Sequence, residues 1–225
     1  MIPLPVDKLR EAFLEAIETN AHVIVSAPTG SGKSTRLPQY LLQSPSINGR
    51  ILVLQPRRLA ARLLACRVAA ERETRPGGET GYLTRYEKAE TDKTRLLYVT
   101  DGILLRTLLS NRILNGIGAV VFDEFHERSL AADIGLAAVT RLQRRHRPEL
   151  KLIIMSATLD TASLQKYLDS PILLQSEGRC YPVQTSYLER PETRPVWDQA
   201  ATAVGDLLKK HRDGDILVFI PVPMR

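Results

Sequence analysis

The sequence predicts an α/β fold, a mostly parallel sheet flanked by helices on both faces, and three observations lead there. Short runs rich in leucine and β-branched residues recur and are apolar at nearly every position, as strands buried on both faces must be. Segments with helical spacing separate them, in the strand, helix, strand order of parallel sheets. Each run also ends in a polar residue, and a parallel sheet gathers those ends along one edge, where ligands bind.

The elements follow in chain order. A helix from about Val6 to Glu18 puts Leu9, Phe13 and Ile17 on one face, ready to cover the sheet. The first strand, "HVIVS" at 22–26, ends on Ser26 and is followed by a helix from Lys33 to Leu42. "RILVLQ" at 50–55 ends on Gln55 and precedes a helix from Leu59 to Arg72; "RLLYVT" at 95–100 ends on Thr100 and precedes one from Gly102 to Leu109. "AVVFD" at 119–123 ends on Asp123, and the helix after it, Leu130 to Arg145, carries an apolar stripe of Ile134, Ala137, Ala138 and Leu142. "KLIIMS" at 151–156 ends on Ser156. The densest basic run, "RLQRRHRPELK" at 141–151, reads as a helix C-terminus, whose dipole favours cations, in preference to a nucleic-acid patch.

Beyond Leu174 the character changes. Pro182, Pro191 and Pro195 mark an extended connector. Val196, Ala200, Ala203, Val204 and Leu207 then form an amphipathic helix, with "DILVFI" at 215–220 a further strand. One helix and one strand cannot bury both faces of a new sheet. The expected organisation is therefore a domain over 1–183, a linker over 184–195, and over 196–225 the opening helix and strand of an incomplete second domain. The alternative is that this last strand completes the first sheet.

Composition narrows the class. With 225 residues, 44% hydrophobic and 25% charged, the chain can bury a real core, and a net charge of +6 is compatible with a polyanionic partner. Its two cysteines are too few for a disulfide framework and show no metal-ligand spacing with the four histidines. The N-terminus lacks the apolar stretch of a signal peptide and nowhere do 18 apolar residues run together, so a cytoplasmic protein without membrane contact is expected.

"APTGSGKST", Ala27 to Thr35, directly follows the first strand and opens the first helix with phosphate-binding loop spacing. Gly30 and Gly32 let backbone N–H groups turn inward around phosphate oxygens, and the helix N-terminus adds partial positive charge. Lys33 reaches the β- and γ-phosphates, while the Ser34 hydroxyl suits Mg²⁺. With that loop present, Asp123 stands where a carboxylate holds Mg²⁺, mainly through water, and Glu124 where a base orients the attacking water.

The ordered series "GSGKST", "QPRRLAAR", "GYLTRYE", "TDGILLR", "DEFHER" and "SATLD" resembles the first RecA-like domain of DEAH-box helicases of superfamily 2, over about residues 1–183. Phe125 departs from the namesake Ala, as in the bacterial HrpB-type branch. The resemblance implies a RecA-like phosphate-loop NTPase fold using ATP or another NTP with Mg²⁺. It implies that Thr29, Gly30, Ser31, Gly32, Lys33, Ser34 and Thr35 bind the phosphates and Arg67 stacks on the adenine. Lys33, Asp123, Glu124 and His126 would be catalytic, with Ser34, Asp123 and Glu124 at the metal. His126 would link the nucleotide site to "SAT", where Ser156 and Thr158 relay nucleotide state. Arg57, Arg58, Arg85, Thr100 and Asp101 would grip the backbone of single-stranded nucleic acid, RNA in preference to DNA.

The same resemblance places transition-state arginines on a second RecA-like domain, so this chain, a monomer, is expected to bind nucleotide, hydrolyse it slowly and not unwind duplexes alone. Two other classes stay open on the residues themselves: a phosphate-loop ATPase or kinase unrelated to helicases, and a binding module without turnover.

Overall fold

The computed structural model describes residues 3–157, 162–177, 183–188, 193–210 and 213–221. The chain divides into two compact units, Met1–Cys180 and Tyr181–Arg225.

In the first unit a 3₁₀ turn over Pro5–Leu9 leads into α1 (Arg10–Thr19), and then β1 (His22–Ser26), α2 (Lys33–Leu41), β2 (Arg50–Gln55) and α3 (Arg58–Glu71) alternate. The small strands β3 (Thr80–Leu83) and β4 (Lys88–Ala89) follow, then β5 (Leu96–Thr100), α4 (Asp101–Ser110), β6 (Ile117–Phe122), α5 (Leu130–Arg145), β7 (Lys151–Ser156), α6 (Ala162–Tyr167) and β8 (Ile172–Gln175). The eight strands form one sheet in the order β4-β3-β5-β2-β6-β7-β1-β8. Every pairing is parallel except β3 with β4.

The five predicted strands are present, with three further ones that were not predicted. β3 and β4 carry Gly, Thr and Lys, whereas β8 is a short apolar run, Ile-Leu-Leu-Gln, that pairs only with β1 at the sheet edge. Side chains alternate between two cores, as a pleat of period two requires. Val23, Val25, Ile51, Val53, Leu96, Tyr98, Val121 and Met155 enter the core beneath α1, α2 and α3. Ile24, Leu52, Leu54, Leu97, Val120, Phe122 and Ile154 enter the one beneath α4 and α5.

The stripe on α5 is rotated from the predicted one. Ala132, Gly135, Leu136, Val139 and Leu142 are buried, whereas Ile134 is 47% exposed. The i, i+3, i+4 pattern fits both choices, and packing against α4 and the sheet selects the one that lets Gly135 approach Leu104.

The second unit contains α7 (Val196–Lys210), as predicted, with no buried residue on it. Residues 215–220 are not a strand, and the expectation of one, whether opening a new sheet or completing the first, is corrected. Among the described residues no neighbouring strand pairs with them, and β-branched composition alone does not hold a strand without a ladder.

The basic run ends α5 with Arg144 and Arg145 in its last turn, as the dipole argument expects. Arg147, just past the helix, does more. Its guanidinium donates to the carbonyls of Ile113, Leu114 and Ile117 at 2.8, 2.9 and 2.9 Å and pairs with Glu149, tying the turn before β6 to the turn before β7. Arg147→Ala is expected to lower unfolding stability by about 3 kcal/mol in urea titrations, because three carbonyls lose a charged donor, whereas exposed Arg145→Ala shifts it by no more than about 0.5 kcal/mol.

Candidate functional site

The loop between β1 and α2 is held at both ends. Ala27 N–H donates to Ser156 O of β7 at 3.0 Å, and the helix side is closed by Arg36 N–H to Gly32 O at 2.8 Å. Gly30 and Gly32 both have left-handed φ, +78° and +94°, so the backbone curls around Ser31 as anion-holding concavities do. A Cβ on Gly32 would also lie 2.7 Å from Leu4 Cδ1, since the N-terminal segment packs against this loop and Val6 N–H donates to Ser31 O. A Cβ on Gly30 would meet nothing within 4 Å, which leaves that side of the curl open. The buried Ser31 Oγ has no hydrogen-bond partner among the described residues.

Lys33 and Glu124 meet at this edge of the sheet. Lys33, 2% exposed, places Nζ 2.9 Å from Glu124 Oε1. Parallel pairing is what brings them together: Ser26 of β1 is in register with Ser156 of β7, and β7 adjoins β6, whose end precedes Asp123. Asp123 lies one residue beyond β6 and is 4% exposed. Its Oδ2 accepts from Gln55 Nε2 at 2.5 Å, its Oδ1 from Glu124 N–H at 2.9 Å, and the Ser34 hydroxyl bonds to the same carboxylate.

A strained turn aims these groups. Glu124 and Arg128 both have left-handed φ, +49° and +44°, on either side of a 3₁₀ turn over Phe125–Glu127. Phe125 anchors the turn: it is buried, meets Phe122 edge to face at 5.9 Å, and carries the Arg128 guanidinium 5.4 Å from its ring centre. Arg128 in turn grips Asp133 through two bonds of 3.1 Å. His126 Nδ1 lies 3.5 Å from Glu124 Oε2 and 3.4 Å from Ala157 N, joining the turn to the end of β7. That nitrogen can accept from Ala157 or, protonated, donate to Glu124, but not both at once.

Burial pushes the Asp123 carboxyl above its ordinary value of 3.8, and the charge of neighbouring Glu124 adds to the rise; the bonds from Ser34 and Gln55, and Lys33, pull the other way. Two adjacent carboxylates, one buried, beside a serine hydroxyl form an oxygen set short of positive charge. A hard divalent cation such as Mg²⁺ fits that chemistry.

Of the candidate nucleic-acid residues, Arg57 and Asp101 contact this turn or the serine that follows it. Arg57 pairs with Glu127 at 3.3 Å. Thr100 caps α4, and Asp101 accepts from Ser129 Oγ, the N-cap of α5, at 2.7 Å. Arg58 and Arg85 both flank the Tyr86 ring, 5.2 and 5.4 Å from its centre. Arg67 stands further along α3, mostly exposed, with Nε 2.8 Å from Glu71, which also bonds Arg36 and Gln39 of α2. Thr158 lies outside the described residues.

Three residues of the site were not singled out from sequence. Gln55 was visible only as a polar strand end, and Tyr86 as a neighbour of Arg85. Tyr98 gave no polar signal: it reads as a core strand residue, yet its buried hydroxyl donates to Ser34 O at 2.8 Å and fixes the start of α2.

A DEAD/DEAH box helicase family model matches residues 8–167. The chain is 44% identical over 221 residues to the ATP-dependent RNA helicase HrpB of Escherichia coli (strain K12), covering 98% of this chain and 27% of that protein. Two crystal structures are similar at the same identity: the E. coli DEAH/RHA helicase HrpB, with TM-score 0.87 over 92% of this chain, and the E. coli DExH-box NTPase HrpB, with 0.82 over 99%. The chain spans 27% of each of those structures.

The raised Asp123 pKa has a thermodynamic sign. Between 3.8 and the higher folded value the native state keeps a proton that the unfolded chain has lost, so this group makes stability fall as pH rises through that window. Asp123→Asn removes the contribution. In thermal melts without metal, the midpoint of the variant relative to the parent is expected to rise as pH increases above about 4 and to level off once the native carboxyl has ionised.

Proposed function

Because the chain belongs to the DEAD/DEAH box helicase family, with a RecA-like α/β fold, we propose that the loop over Thr29–Thr35 binds the phosphates of ATP or a similar NTP, and that this chain is the nucleotide-binding part of a helicase motor acting on single-stranded RNA. The observation that carries the reading is the convergence of Lys33 and Glu124, 2.9 Å apart at the open side of a glycine-curled loop.

Lys33 releases Glu124 and turns to the β- and γ-phosphates when nucleotide enters. The backbone N–H groups around Gly30 and Gly32, with the buried Ser31, line the phosphate cradle. Ser34, Asp123 and Glu124 would hold Mg²⁺, which would neutralise charge developing on the phosphate oxygens. Glu124 then orients the attacking water and accepts its proton, with His126 positioned at its second carboxylate oxygen. Arg67 stacks on the base. Ser156, which ends β7 next to Ala157, and Thr158 pass the state of the site onward.

Arg57, Arg58 and Arg85, with Thr100 and Asp101, hold the RNA backbone, a contact that positions the strand without reading sequence. Residues 1–183 form the motor domain, and those from 196 belong to a second domain that supplies the transition-state arginines. The 225-residue chain on its own is therefore a slow ATPase without unwinding activity.

ATP turnover with and without single-stranded RNA tests the reading. Glu124→Gln is expected to lower turnover about 10²- to 10⁴-fold while leaving nucleotide affinity nearly unchanged, and Lys33→Ala to abolish nucleotide binding in titration calorimetry. Nucleotide and RNA binding with no turnover in the parent would support the binding-module alternative. RNA affinity is expected to fall with salt at a log–log slope of about −2 if three arginines each cover one phosphate, and Arg57→Ala should flatten that slope by about 0.7.

A further inference from the structure

The hairpin between β3 and β4 holds an aromatic ring in the solvent. Tyr86 is 70% exposed, among the most exposed large apolar side chains of the first unit. An exposed tyrosine on a loose turn would be unremarkable. This turn is not loose. Thr84 N–H donates to Glu87 O at 2.8 Å, Glu87 N–H donates back to Thr84 Oγ1 at 3.2 Å, and Thr84 itself is buried. Glu87 also pairs with Arg62 of α3 at 3.3 Å, an exposed contact that brings the tip beside the helix that begins with Arg58.

The surroundings of the ring point to its ligand. Arg58 and Arg85 approach it at 5.2 and 5.4 Å, yet the exposure of the ring shows that most of its surface remains uncovered. Beside it lies a cavity of about 470 Å³ lined in part by Leu83, Arg106 and Thr107. The two guanidinium groups lie over the ring, as a base would, and a nucleotide can replace both contacts at once: its flat base takes the ring and its phosphates take the guanidinium groups.

We propose that Tyr86 stacks on a nucleobase of the bound single strand, while Arg58 and Arg85 hold the phosphates on either side. The proposal rests on the RNA-binding reading above and adds to it a contact with a base where the other residues grip only the backbone. Stacking tolerates every base, so the contact strengthens binding without making it sequence-specific.

The test uses the full 225-residue chain with two fluorescently labelled probes of equal length, an oligouridine and a ribose-phosphate chain with abasic positions. Tyr86→Ala is expected to weaken oligouridine binding about tenfold, the scale of one base stack, and Tyr86→Phe to stay within about threefold of the parent. On the abasic chain the parent should already be weakened by a similar factor, with no further loss from Tyr86→Ala. Equal weakening of both probes by Tyr86→Ala would overturn the proposal, since the ring would then only position the arginines, and so would unchanged oligouridine affinity. Failure of the parent to bind either probe would overturn the RNA reading itself, a result distinct from both.

Discussion

The ion pair between Lys33 and Glu124 is the constraint around which the first unit is arranged. Both ends are largely withdrawn from water, where breaking a pair by removing one partner costs about 3–5 kcal/mol. Its two halves come from elements far apart in the chain, and they meet only if β1, β7 and β6 lie parallel and in the observed register. A shift of one residue in that register would exchange the two cores and move Asp123 away from Gln55. The hydrophobic pattern of the strands therefore fixes the chemistry at their ends.

That edge is locally unfavourable. Glu124 takes a left-handed conformation that costs a non-glycine residue roughly 1–3 kcal/mol, and Asp123 holds a carboxylate in a site where burial opposes charge. The surrounding structure over-determines both. Gln55 and Ser34 bind the Asp123 carboxylate, Asp123 binds the backbone of Glu124, and Phe125 pins the turn into the core against Phe122. Phe125 thus does with a ring what a smaller residue cannot: it fills the space under the strained turn and gives Arg128 a surface to lie on. Strain held in place by packing is the pattern of a site kept for function at the expense of stability.

Much of this was legible in the sequence, for identifiable reasons. The strands of the sheet centre are apolar on both faces, so they stand out from any background, and their polar ends name the functional edge. What was not legible depends on partners distant in sequence. The β3–β4 hairpin carries mixed residues at the sheet margin, and β8, though apolar, is only four residues long. The buried stripe of α5 could not be told from its neighbour by period alone. Residues 215–220 have strand composition but no ladder, which shows how little composition decides when pairing is absent. Tyr98 is the sharpest case. Its hydroxyl holds the start of α2, yet in a run of leucine and valine nothing distinguishes it from filling.

Members of the two sets of candidate residues meet at one turn. Glu124, His126 and Glu127 belong to one short turn, and each faces a different neighbour: Lys33 of the glycine-curled loop, Ala157 after β7, and Arg57 before α3. Asp101, at the start of α4, bonds the serine that caps α5 directly after the same turn. Proximity of this kind does not by itself amount to coupling, which requires an element with discrete alternatives. What the structure shows is shared geometry: one nitrogen of His126 stands 3.5 Å from Glu124 Oε2 and 3.4 Å from Ala157 N. His126 therefore joins the residue that pairs with Lys33 to the end of β7, on the same turn whose far end is paired to Arg57.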